Sequence, residues 1–338
     1  MGCRSCEQKC PKNCISIMPD KEGFLYPVID NDKCIGCKVC VNSCPAVNIP
    51  QKRQPISVYA LKNKDKKRIL SSASGGASDV FAGYVIDNGG VVYGCAYDTD
   101  MLVKHIELTD KESLKRIQSS KYVQSDIGNC YSKAKEKLDS GKMVLFTGTP
   151  CQIAGLYAFL GNKEYDKLYT VDLICHGVPS PLLFKKYLAY QEDKLKEKIV
   201  SFDFRSKEKR GWAEQYMLKT QNKSKSRALK LDRYGKHFMD GDCYRESCYT
   251  CPYSDIKRVS DITVGDFWVI YKSHPEFSSA LGVSSVLVNT KKGQMLSDSI
   301  SKYADITKAT VKEAMAKQAN LKAATLRPAP RDTFYKEI

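Results

Sequence analysis

Fifteen of the 338 residues are cysteine, and eight of them fall in the first 44 positions. Four are spaced Cys34-x2-Cys37-x2-Cys40-x3-Cys44 and followed by Pro45. With this spacing bacterial ferredoxin segments wrap a 4Fe-4S cubane. Three thiolates two residues apart hold three corners, and the fourth, turned away before proline, reaches a neighbouring cluster. A zinc knuckle would use two separated CxxC pairs instead. Cys3-x2-Cys6-x3-Cys10-Pro11 repeats the last three positions of the same run. With ligands exchanged between runs, Cys34, Cys37, Cys40 and Cys10 complete one cluster. Cys3, Cys6 and Cys44 offer three ligands to a second. Its first cysteine would fall one residue before Met1, so the true start lies upstream, or Cys14 substitutes, or the site holds a labile or three-iron cluster; we favour the first.

A third group, Cys243-x4-Cys248-x2-Cys251-Pro252, offers three more thiolates, to which Cys151 or Cys175 could add a fourth. A further 4Fe-4S cluster is expected there, with structural zinc or unligated cysteines as the alternatives. Cys151 lies in TGTPCQIAG (147–155), directly after an apolar run. Thr149 is placed as N-cap, Pro150 at N1 and Gln152 at N3, a Thr-x-x-Gln capping box. Cys151 then sits in the first helical turn, where the dipole favours thiolate. It reads as cluster ligand, redox thiol, wall of an anion pocket, or buried structural cysteine. DLICHGVPS (172–180) places Cys175 and His176 at a carboxyl strand end, where open α/β sheets bind ligands. His176 is a candidate for proton transfer or an ordinary structural histidine. No GxGxxG follows a strand and no GxxxxGK[ST] is present. SSASGGAS (71–78) is a weak phosphate-loop candidate and equally a flexible loop.

The elements that must position these groups alternate along the chain. Strands are expected at 58–61, 91–97, 102–108, 143–149, 168–175, 199–205, 214–220, 227–231, 261–270 and 283–289. Helices are expected at 79–88, 126–139, 150–160, 181–195, 292–303 and 311–325. The alternation predicts a mixed α/β (α+β) architecture with an at least partly parallel sheet, preceded by a metal-organised, loop-rich cysteine module. The expected division is 1–50 as a ferredoxin-type 4Fe-4S domain, 57–180 as an α/β part, and 181–330 as a C-terminal region holding the later cysteines.

Composition narrows the function classes. Hydrophobic residues are 42% and charged residues 27%, so the chain is globular rather than disordered. No run approaches the ~20 apolar residues that span a bilayer, and MGCRSCEQKCPKN lacks the apolar core of a signal peptide. A cytoplasmic protein is expected, with cysteines serving metal rather than disulfides. The formal net charge is +16. It concentrates at 51–68 and at 205–236, where eleven Lys/Arg face Glu208, Glu214 and Asp232. Such stretches attract anionic cofactors, substrates or acidic proteins, or form a plain solvated face. No zinc-finger or RNP-like signal points to nucleic acid.

The ordered series CIGCKVCVNSCP, SGGA, YVQSDIG, GTPCQIAGL, DLICHGVPSP, FRSKEKRGW and CYTCPYSDIKRVSDITVGDFW resembles the coenzyme F-420 hydrogenase/dehydrogenase beta-subunit family over about 1–330. The resemblance implies an N-terminal ferredoxin module, an α/β domain that binds flavin as FAD, and electron transfer between a two-electron donor or acceptor and 4Fe-4S clusters. Its organic substrate would be a deazaflavin coenzyme or another compound, and its partner a ferredoxin or another redox subunit. A non-catalytic electron-transfer subunit of a larger complex is the alternative. By position, Gly75 and Gly76 are expected near the flavin phosphates. Lys121, Gln124, Ser125, Thr147, Gly148 and Thr149 are expected near its ring and ribityl chain.

Overall fold

A computed structural model describes residues 1–336. Two strands, β1 (Ile15–Pro19) and β2 (Leu25–Ile29), pair as an antiparallel hairpin between the two cysteine runs. Asp20 Oδ1 accepts the N–H groups of Glu22 and Phe24, and Gly23 takes a φ of +81°, which favours glycine. The cysteine segment is therefore less loop-rich than expected. ISIMP and LYPVI are short and half exposed, too weakly patterned to read as strands.

The remaining strands are β3 (Ser57–Asn63), β4 (Val91–Tyr97), β5 (Val103–Leu108), β6 (Val144–Gly148), β7 (Leu168–Leu173), β8 (Ser201–Asp203), β9 (Gln215–Lys219), β10 (Ser224–Ala228), β11 (Ile262–Asp266), β12 (Ser284–Val288) and β13 (Ala304–Ala309). Eight form one mixed sheet in the order β13-β3-β12-β11-β7-β6-β4-β5. Its centre, β11-β7-β6-β4, is parallel, and its flanks are antiparallel. β8, β9 and β10 form a separate antiparallel sheet.

Period-2 alternation decides which face each residue serves. Val92 and Leu145 pack against Val80, Phe81 and Val85 of the helix Ala77–Asp87. Their neighbours Val91, Tyr93, Val144 and Phe146 point the other way, onto Tyr131, Ile153 and Leu156 of the helices Cys130–Asp139 and Pro150–Phe159. Both faces are covered, so the central strands read as continuous apolar runs. Each such side chain contributes about 1.5–3 kcal/mol on burial. A third, aromatic core joins Phe184 and Tyr187 of the helix Pro181–Leu195 to Phe202, Phe204, Tyr216 and Phe238.

The strand expected at 227–231 ends at Ala228 and passes into a 3-10 turn, Leu229–Leu231, and the strand expected at 261–270 ends at Asp266. Three helices differ as well. The helix over 126–139 begins at Cys130, because Asp126 bridges to Lys104. The helix over 292–303 ends at Asp298, and the chain turns into β13, which pairs with β3. The helix over 311–325 shrinks to Val311–Met315 and a 3-10 turn, Ala319–Leu321. In the first two cases tertiary pairing outweighs helical propensity. Among the described residues no helix is long and apolar enough to cross a membrane.

Candidate functional site

Because β4, β6, β7 and β11 are parallel, their carboxyl ends open on one edge of the sheet. A cavity of about 300 Å³ lies there, within the size range of small-molecule sites. Its walls come from segments distant in sequence: 72–79, 117–125, 147–152, 173–178, 245–251 and 264–268.

Five thiols line this cavity: Cys95 of β4, which lies by Lys121, and a group of four, Cys151, Cys175, Cys248 and Cys251. Every pair among the four is close enough to interact electrostatically. Burial raises the Cys151 and Cys175 thiols and pushes Cys248 up to about 12. The sequence expectation for Cys151 is therefore reversed. Desolvation outweighs its position in the helix's first turn, and the thiol stays protonated until something replaces the proton. Cys243 does not join the group. It is fully buried in the aromatic core beside Tyr234, Tyr244 and Tyr249, and Tyr335 donates its hydroxyl to the Cys243 carbonyl. Both sheet-edge candidates, Cys151 and Cys175, join Cys248 and Cys251 instead. Among the described residues no three His, Cys, Asp or Glu side chains are arranged to hold a single metal ion. A cubane differs in that its four ligands bind four iron atoms and surround a volume.

A hydrogen-bonded chain backs the cavity floor. His105 Nε2 lies 3.0 Å from Thr147 O and Nδ1 lies 3.1 Å from Ser125 Oγ. A carbonyl can only accept, so Nε2 carries the proton and Nδ1 accepts from Ser125. Gln152 Nε2 donates to Ser125 Oγ at 2.8 Å, and Gln152 Oε1 accepts the Thr149 N–H at 2.9 Å. Thr149 Oγ1 stands 3.2 Å from Cys151 Sγ. Burial lowers His105 to about 4, so it is neutral at physiological pH. Sequence reading missed His105, since a single histidine within an ordinary strand carries no local signal.

Gly76, Lys121, Gln124, Ser125, Thr147, Gly148, Thr149, Cys151, Cys175 and His176 all line the cavity. Gly75 does not. A Cβ there would come within 2.2 Å of Leu61 O and 2.5 Å of Ser284 N, so this glycine packs against β3 and β12. Gly76, left-handed at φ +84°, opens the helix Ala77–Asp87 and offers no capping side chain of its own, while Ser284 Oγ accepts the Ala77 N–H at 3.4 Å. Asp79 in that turn is occupied by Arg68, Asn63 and Gln118. Lys207 donates to Ile69 O and Ser74 O at 2.6 Å each and ties the 71–78 loop down. The basic stretch at 205–236 is thus not uniformly a solvated face. Arg205 and Lys207 are buried, and Arg205 lines the cavity and pairs with Asp266 at 2.9 Å. His176 stacks parallel to Phe238 at the rim, and desolvation by the surrounding walls lowers its pKa.

The N-terminal thiols fall into two sets. Cys10 and Cys14 are 3.3 Å apart, and Cys14 interacts with Cys34. Cys14 therefore stands beside Cys10 and Cys34. Cys6 interacts with Cys44 and Cys3 and also with Cys40, which the sequence assigns to the first set, so the two sets lie close together. Cys3 lies against the helix Pro150–Phe159, where a Cβ on Gly155 would be 2.7 Å from Cys3 Cβ. Buried Tyr253, whose hydroxyl donates to Pro45 O at 2.6 Å, lies within electrostatic reach of Cys3 and Cys44 and of Cys151 and Cys251. None of the fifteen cysteines forms a disulfide.

Fold and thiol arrangement define a class: a ferredoxin-like cysteine module docked on a mixed α/β domain with a cysteine-lined cavity. The family model for the C terminus of the coenzyme F420 hydrogenase/dehydrogenase beta subunit matches residues 141–314, just over half the chain, and the protein belongs to that family. Two 4Fe-4S dicluster domain models match residues 1–48 and 26–78. Ferredoxin-type protein NapF of Haemophilus influenzae is 40% identical over 43 residues, 13% of this chain and 24% of that protein. The chain thus spans about a quarter of that curated relative. A chain of the F420-reducing NiFe hydrogenase complex from Methanosarcina barkeri shares the fold, with a TM-score of 0.51 and 19% identity over 80% of this chain and 90% of that one.

Proposed function

We propose that the protein is a cytoplasmic iron–sulfur flavoprotein oxidoreductase that moves electrons between an organic two-electron donor or acceptor, a deazaflavin coenzyme included, and 4Fe-4S clusters. The observation that carries this reading is the convergence in one cavity of four grouped thiols and a glycine-opened helix N-terminus. The donor set Cys151, Cys175, Cys248 and Cys251 suits a cubane. The N–H groups after Gly76 suit a pyrophosphate, and the walls at 121–125 and 147–149 leave room for the ring of a flavin such as FAD. A bound flavin would exchange two electrons with the substrate and single electrons with iron–sulfur centres.

The chain's own residues do the rest. Lys207 holds the phosphate-side loop. Neutral His105 fixes Ser125 and, through Gln152, the turn that carries Cys151. His176 at the rim is the group placed to hold or release a proton at its imidazole. Cys34, Cys37, Cys40 and Cys10 would hold one N-terminal cluster, with Cys3, Cys6 and Cys44 ligating the next. Tyr253 lies within reach of both that second set and the cavity thiols. Cys34 and Cys37 are exposed beside exposed Ile35, Val41 and Val47. That apolar face fits a redox partner such as a ferredoxin or another subunit.

Quantification of iron, sulfide and flavin on one anaerobic preparation tests the reading. About twelve irons per chain would count three 4Fe-4S clusters, and extractable flavin should accompany them. A preparation without iron and flavin after reconstitution would overturn it. Oxidation of a hydride donor by the isolated chain with an artificial acceptor distinguishes an enzyme from an electron-transfer subunit.

A further inference from the structure

Three arginines are among the largest fully buried side chains: Arg245, Arg258 and Arg331. Two are neutralised within the chain. Arg258 Nη2 pairs with Asp172 at 2.9 Å, and its other N–H groups reach the carbonyls of Tyr253 and Asp255 and the Thr263 hydroxyl. Arg331 pairs with Glu22 at 2.6 Å and donates to Tyr244 O. Arg245 has no carboxylate partner among the described residues. Its Nη1 donates to Leu25 O at 3.0 Å and to Gln124 Oε1 at 3.3 Å, and its guanidinium lies 3.7 Å from the centre of the Tyr26 ring. Its Nε and Nη2 are buried with no hydrogen-bond partner.

A buried cation without an anion is strongly disfavoured, and two orphaned donors add to that penalty. The compensating anion therefore comes from something other than the carboxylates of the described residues. Arg245 lines the same cavity as the four thiols. Its carbonyl accepts the Cys248 N–H at 2.8 Å, so one short turn fixes thiol and guanidinium together. The Cys151 and Cys248 thiols both feel its charge.

We propose that Arg245 is the counter-charge of the cluster site formed by Cys151, Cys175, Cys248 and Cys251, and that it holds that site's reduction potential above the value four thiolates alone would set. The inference rests on the cluster reading of the cavity given above. The cause is electrostatic. Adding an electron to an anionic centre in a low-dielectric site is opposed by its own charge, and a fixed nearby cation relieves this. Leu25 and Tyr26, which grip the guanidinium, belong to the hairpin between the two N-terminal cysteine runs. Docking of the ferredoxin-like module therefore places the charge that tunes the cavity.

The test is an EPR-monitored redox titration of the anaerobically reconstituted full chain. Wild type is compared with Arg245→Met, Arg245→Lys and Cys248→Ala. Loss of one signal in Cys248→Ala identifies the cavity centre. In Arg245→Met that signal should keep its intensity but titrate at a more negative potential, with the N-terminal signals unmoved. Arg245→Lys should restore most of the shift. An unmoved cavity potential, an equal shift in Met and Lys variants, or a shift confined to the flavin would overturn the inference. If Cys248→Ala removes no signal, the cluster reading of the cavity itself fails. Should Arg245→Met not accumulate, Tyr26→Leu, which loosens the guanidinium, should give a smaller shift of the same sign. No shift there would count against the proposal.

Discussion

The N-terminal segment and the sheet-edge cavity both gather cysteines, but they do so by opposite routes. In the first, eight thiols come from 44 consecutive residues, and Cys34 and Cys37 are exposed. In the second, four thiols come from residues 151, 175, 248 and 251, on the ends of β6 and β7 and a turn before β11, and burial drives three of them toward the protonated form. At the N-terminus local spacing gathers the thiols of each run, and one short hairpin, β1–β2, brings the two runs together. The cavity site exists only once a parallel sheet has brought its strand ends together. The first should form with little support from the core, while the second should rise and fall with it.

The sharpest division is by ligand removal. Cys37→Ala and Cys248→Ala should each lose about four irons, with different EPR signals disappearing in the two variants. A common loss of all signals would erase the distinction between the regions. Next in size is Arg258→Met, which leaves Asp172 as a buried, unpaired carboxylate at the end of β7. It should cost about 3–5 kcal/mol in urea unfolding and deplete cavity iron before N-terminal iron. Retention of both in equal measure would contradict the dependence of the cavity on the core.

His105 offers a pH test of the same dependence. Its folded pKa of about 4 lies below the unfolded value near 6.5. The stability it contributes is therefore fully present above pH 6.5 and is lost as pH falls toward 4, by roughly 3 kcal/mol. The difference in unfolding free energy between wild type and His105→Gln should narrow across that window. A constant difference would show that His105 does not stay neutral in the fold. The smallest effect is expected at the seam. Gly155→Ala would set a Cβ 2.7 Å from both Cys3 Cβ and the Tyr131 hydroxyl. It should destabilise by about 1–3 kcal/mol and slow electron passage between the two regions in freeze-quench EPR, with iron content unchanged. Undiminished transfer would place the contact between the regions elsewhere.

Much of this molecule was legible before any coordinates. The strands at β3, β4, β6, β7 and β12 and the helices Pro150–Phe159 and Pro181–Leu195 follow apolar runs with clear proline and serine or threonine starts. β13 and the hairpin of β1 and β2 were missed because edge strands with one exposed face carry little pattern. Gly76 and the Thr147–Thr149 turn were located by position beside strand ends. Gly75, one residue away, faces β3 and β12. Neighbouring residues point to different surroundings, and only the packing says which one meets the cavity. Cys243 misled for a related reason: spacing from Cys248 and Cys251 suggests a shared site, yet the chain between them folds back and leaves its thiol among tyrosines.

By itself the sequence determined the N-terminal metal chemistry, since ligand sets separated by two or three residues depend on turn geometry and little else. It also determined the alternation that makes a partly parallel sheet, since strand and helix periods are local. Tertiary structure alone decided which of the later cysteines meet, why Cys151 is held protonated, and that Arg245 is buried without a carboxylate. Those outcomes depend on distance and dielectric between residues far apart along the chain, quantities no local pattern encodes.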